Sequence, residues 1–151
     1  MFTDFVLASL HHLAVFSLMA IVAAQIVLLR PDLDAAGVAR IARLDVAYGI
    51  AAAAVLIAGF ARVFFGAKGA SYYFHNHIFW TKIAVFAVIG LLSIRPTLRF
   101  LAWRRAVAGD PKALPLAADI KSAKLIVHIE ATLLLLMPIL GAAMARGYGS
   151  P

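Results

Sequence analysis

Residues Val46–Phe65 read VAYGIAAAAVLIAGFARVFF, twenty positions with a single charge, Arg62. At ~1.5 Å of rise per helical residue this run spans ~30 Å, the hydrocarbon thickness of a bilayer. Lipid satisfies no backbone N–H or C=O, so a crossing segment has to be a helix that pairs its own backbone. Three further runs share this character, at about Phe5–Leu29, His77–Arg95 and Lys124–Ala145. The four apolar runs predict an all-α integral membrane four-helix bundle, one domain covering 1–151.

Composition agrees. Hydrophobic residues make up 64% of the 151 and charged residues 14%. Soluble domains carry roughly 45–50% and about 25%. The mean hydropathy is +0.96, more apolar surface than a core of this size could hide from water. The absence of cysteine rules out disulfides, thiolate metal sites and c-type haem attachment. The net charge of +7 is that of basic loops beside a membrane, so the bilayer, and no nucleic acid, is the expected partner. Met1–Leu10 has no basic n-region and carries Asp4, so the first run is expected to be retained rather than cleaved as a signal peptide.

The joints are readable. Arg30-Pro31-Asp32 ends the first helix, and Asp34 can cap a helix starting near Ala35. Gly66, Gly69 and Ser71 interrupt the chain before the third helix. Pro96 removes a backbone donor and predicts a kink. Beyond it, residues 97–107 form an amphipathic stretch expected to lie at the membrane interface, with Trp103 at headgroup level. Ten of the fourteen Lys and Arg residues fall in the two loops between helices one and two and between helices three and four. That puts those loops in the cytoplasm and both termini outside.

An ionisable residue within a span is a functional candidate. His11 and His12 lie on the first helix, Arg62 near the outer end of the second, and His75, His77 and Lys82 at the outer start of the third. Glu130 lies deeper on the fourth, where a carboxylate needs protonation, a cation or hydrogen bonds. Helical phase sorts these positions into four stripes. They are His11, Leu18 and Gln25; Tyr48, Ala52, Val55, Gly59 and Arg62; His75, Phe79, Lys82, Phe86 and Ser93; and Glu130, Leu134, Met137, Gly141 and Met144. Turned inward, they would enclose a polar, aromatic and thioether-lined pocket in the outer half. SYYFHNHIFWTK (Ser71–Lys82) would form either its rim or an interfacial belt of amphipathic rings. Arg62 and Lys82 also admit a snorkelling role, and the methionines a packing role.

The stretches ASLHHLAVFSLMA (Ala8–Ala20), RLDVAYGIAAAAVLIAGFARVFFGAKGASYY (Arg43–Tyr73), FWTKIAVFAVIGLLSIRPTLRF (Phe79–Phe100) and ATLLLLMPILGAAMARG (Ala131–Gly147) carry a resemblance over nearly the whole chain. It is similar to a family of uncharacterised bacterial four-helix membrane proteins, distantly related to the copper-resistance protein CopD and to HemJ-type protoporphyrinogen oxidases. The HemJ likeness rests on His11 or His12 and on Trp80 with Lys82. It implies a bacterial inner-membrane location and the binding of haem b, with His11 or His12 as the carried-over position.

Three functions follow as expectations. In a haem-b redox protein, which would make the chain a membrane oxidoreductase, His11 pairs with Met137 or His77 at the iron, and Arg62 and Lys82 meet the propionates. A quinone or other redox partner fits the same reading, with Glu130 as proton carrier. A small transporter would move copper, or protons or anions through Lys82 and Glu130; His11 and Met137 are the metal-ligand candidates. A non-catalytic subunit would use its small-residue faces to bind a partner or a second copy.

Overall fold

The computed structural model describes residues 2–149, and among them are five helices and no strand. Helix α1 is Phe2–Leu28, α2 Ala35–Phe65, α3 the short Gly69–Phe74, α4 His77–Gly109 and α5 Ala117–Ala145. The four long helices are each long and apolar enough to cross a membrane. At 27 to 33 residues they run ~40–50 Å, so their ends project beyond a ~30 Å hydrocarbon layer.

The bundle is a ring. α1 packs on α2, α2 on α4, α4 on α5, and α5 closes back on α1. Neighbours are antiparallel. One end holds both chain termini with α3 (the termini end); the other holds the basic loops at 29–34 and 110–116 (the basic end). The core is a thin apolar column that includes Leu18, Val22, Val55, Ile89, Val127 and Leu134. The outward faces are as apolar as the interior. Leu13, Ile57, Leu91 and Ile139 are each more than 60% exposed. In water such a surface would aggregate; against lipid tails it is the expected coat.

Local chemistry sets the ends. The Asp34 carboxylate accepts the Gly37 N–H at 2.7 Å, so the cap expected from sequence is present. Asp4 accepts the Ala67 N–H at 3.1 Å, tying the start of α1 to the end of α2. The segment SYYFHNHIFWTK folds around Asn76, which is fully buried. Its side-chain oxygen caps α4 by accepting the N–H groups of Ile78 (2.9 Å) and Phe79 (3.3 Å). Its amide donates to the Tyr148 carbonyl at 3.0 Å. Around this turn Phe79 meets Tyr73, Phe74 and Trp80 edge to face, and Phe74 stacks on Trp80.

Two expectations need correction. His75 does not share the α4 stripe; it is the C-cap of α3, exposed, with Nδ1 on the Ser71 carbonyl at 2.8 Å. The 97–107 stretch is no separate surface element, because α4 runs unbroken through the buried Pro96 to Gly109. Phe100 is fully buried, and Trp103 and Val107 pack beside it on the core. The apolar face of this stretch covers the bundle, and its arginines Arg104 and Arg105 point away. The α4 ladder loses one donor at Pro96, and packing compensates.

Candidate functional site

Nearest the termini end, four helices meet at small residues. His11 of α1 lies against Gly59 of α2; a Cβ added at Gly59 would sit 3.3 Å from His11 Cε1. Lys82 of α4 lies against Gly141 of α5, where an added Cβ would be 3.6 Å from Nζ. Arg62, one turn along α2 from Gly59, exerts its charge on both His11 and Lys82, and Lys82 exerts its own on His11. The small residues are what let two long cationic side chains and an imidazole sit between helices.

Among the described residues no carboxylate is ion-paired with this cluster. Among the described residues the ion pairs are Arg30–Asp32 and Arg40–Asp34, both exposed and both at the basic end. Among the described residues, His11 Nδ1 and Arg62 Nε are buried without a hydrogen-bond partner. Like charges gathered between packed helices are costly unless something anionic joins them.

The other predicted residues of this region stand apart. His12 is exposed, with Nδ1 on the Ala8 carbonyl at 2.7 Å, and its ring is 6.1 Å from that of His11. His77 opens α4 and is exposed. Trp80 donates Nε1–H to the Phe74 carbonyl at 3.1 Å. Met137 lies one turn along α5 from Gly141 and packs on the core.

Towards the basic end lies a second polar group of opposite character. Gln25, Asp45, Tyr48 and Glu130 are all buried. Thr97 donates its hydroxyl to Asp45 Oδ1 at 3.1 Å, and Gln25 lies against the same carboxylate. Glu130 is 2% exposed, is within electrostatic range of Asp45 and Tyr48, and has Oε1 without a hydrogen-bond partner. Lys82 does not reach it. Eleven residues separate Glu130 from Gly141 on α5, ~16 Å along the axis. Sequence reading placed Glu130 but missed Asp45 as its neighbour. The signal was there: Asp45 continues the Tyr48–Ala52–Val55 stripe by three residues.

The family model described as "Predicted membrane protein (DUF2214)" matches residues 3–149. No curated protein and no solved structure matches the chain. These comparisons lend no support to a relation with CopD or with HemJ-type oxidases.

Proposed function

For this chain, which belongs to the DUF2214 family of predicted membrane proteins, we propose a role in holding an anionic, carboxylate-bearing ligand inside the membrane, with haem b as the cofactor to test first. The observation that carries this reading is the convergence of Arg62, Lys82 and His11, with no carboxylate ion-paired to them among the described residues. Arginine and lysine gathered between helices favour an anion by charge-assisted hydrogen bonds.

Haem b matches this donor set. His11 would offer its imidazole to the iron, and Arg62 and Lys82 would hold the two propionates. Met137 on α5 would offer a thioether. Exposure and the Ala8 bond count against His12, and exposure against His77. Bound there, haem b would supply one-electron chemistry, making the protein a redox protein of the bacterial inner membrane with this end outside. A lipid-soluble quinone or a redox protein would be the electron partner. The transport reading through Lys82 and Glu130 has no such support, since the two lie in different halves of the bundle.

The test is absorbance of protein purified in mild detergent from haem-replete cells, oxidised and dithionite-reduced. A Soret band lost in His11→Ala supports haem. A colourless protein ends the haem reading. The wider anion reading then stands or falls on whether decanoate raises the unfolding temperature of the wild type more than that of Arg62→Ala and Lys82→Ala. Equal shifts would overturn it.

A further inference from the structure

Between α2 and α4, towards the basic end, is a cavity of about 350 Å³. Its walls are mostly apolar, among them Ala52, Phe86 and Ile89, and it is lined at its polar side by Asp45, Ser93 and Thr97. Gly49 and Gly90 stand at its opening, and a Cβ added at either meets nothing within 4 Å. Since α2 and α4 are neighbours in a ring whose outward faces are apolar, the opening faces lipid.

The electrostatics of this groove are one-sided. Asp45 stands in its wall, and Glu130 lies within electrostatic range of Asp45 and of Tyr48, another wall residue. No lysine or arginine is ion-paired with either carboxylate among the described residues. Asp45 has the Thr97 hydroxyl and the Gln25 side chain for company. Glu130, 2% exposed, lies behind the lining rather than in it, and its Oε1 has no donor among the described residues. The cavity wall holds no cation to face Asp45. A bare metal ion would leave the apolar walls unused, whereas a cation carrying a hydrocarbon body would use both parts.

We infer that the α2–α4 groove binds a lipophilic ammonium compound, its charged head on Asp45 with Glu130 behind, its hydrocarbon in the cavity. This site is separate from the His11–Arg62–Lys82 cluster and takes ligands of the opposite charge. The carboxylates set the choice of head group. The open space at Gly49 and Gly90 sets the route of entry from the bilayer.

The probe is decylammonium, with decanol as its uncharged counterpart, titrated into protein in phosphatidylcholine nanodiscs with empty nanodiscs as the blank. Saturable binding of decylammonium above the blank is expected, with decanol weaker by about tenfold or more, ~1.4 kcal/mol. Asp45→Asn should weaken the amine by a similar factor and leave decanol unchanged. Gly90→Leu leaves both carboxylates in place and should abolish the binding by filling the opening, which keeps the test decisive if Asp45→Asn does not fold. Equal affinity for decanol and decylammonium, or full amine binding by Gly90→Leu, would overturn the inference. So would the absence of any saturable amine binding, and the two acids would then be no more than a protonated buried pair.

Discussion

Replacing Glu130 with methionine should make the ligand-free protein more stable. Glu130 is 2% exposed, and Oε1 has no donor. A buried polar group without its hydrogen bond costs ~1–3 kcal/mol on the scale of protein substitutions. Methionine has nearly the same length and volume and needs no partner, so the swap leaves neither a cavity nor a clash. Its neighbours on the same stripe, Leu134 and Met137, are already apolar. Asp45 and Tyr48 repel a charge on Glu130, so its removal loses no attraction to them; the lower part of the range, ~1–2 kcal/mol, is taken as the net gain. For a chain of this size each kcal/mol moves the unfolding temperature by ~2–4 °C, so a rise of ~2–8 °C is expected. Tryptophan fluorescence in mild detergent reads it, because Trp103 lies against the buried Phe100 at 5.5 Å between ring centroids. Leu134→Met serves as the packing control. Loss of more than ~1 kcal/mol in Glu130→Met, with Leu134→Met near neutral, would refute the reasoning. The carboxylate would then be a structural strut rather than a group held at a cost to stability.

Three other outcomes are expected. Asn76→Ala removes both the cap of α4 and the bond to Tyr148 and should cost ~2–3 kcal/mol; Asn76→Ser keeps a capping oxygen, loses the donor to Tyr148, and should cost ~1. Thermal unfolding separates the two, and equal losses would mean that the cap contributes nothing. Gly149→Ala must disturb the binding of residues 148–149 to the start of α4, where the His77 N–H donates to the Gly149 carbonyl at 2.9 Å, because Gly149 has φ +81 and an added Cβ would lie 2.8 Å from Ile78 Cγ1; we expect faster proteolysis after Arg146 with the four long helices intact. Gly141→Leu should push Lys82 away, since even a Cβ there is 3.6 Å from Nζ. Whatever anion-dependent stabilisation the wild type shows should fall in this variant.

The architecture was legible because lipid imposes a simple rule: every span must be long, apolar and helical. The stripes were legible for a similar reason. Leu18 and Gln25, Tyr48 and Val55, and Glu130 and Leu134 are buried, in the phase expected at 100° per residue. His75 escaped this logic, because phase applies only within a helix and a turn at Asn76 intervenes. The stretch after Pro96 was not recognised as part of α4, because amphipathicity reports two unlike faces without saying what covers the apolar one; the burial of Phe100 shows that the bundle covers it. The partner of Glu130 stayed hidden because it depends on the register between helices. That register is set by contacts such as Asp4 with Ala67 and Thr97 with Asp45, far from Glu130 in sequence.

The cheapest arrangement of these charges would pair them. One lysine and one glutamate at the same depth on adjacent helices would neutralise each other, and an apolar pair in both places would do as well or better. Instead the cations His11 meets, Arg62 and Lys82, gather towards the termini end, and the carboxylates Asp45 and Glu130 gather towards the other, ~16 Å apart measured along α5. Each group keeps a buried polar atom without a partner: Arg62 Nε and His11 Nδ1 in one, Glu130 Oε1 in the other. Packing alone gains nothing from such a division. It is what a bundle needs if each half has to neutralise a different visitor, an anion at one end and an ammonium in the groove, and if neither is to be displaced by the protein's own opposite charge.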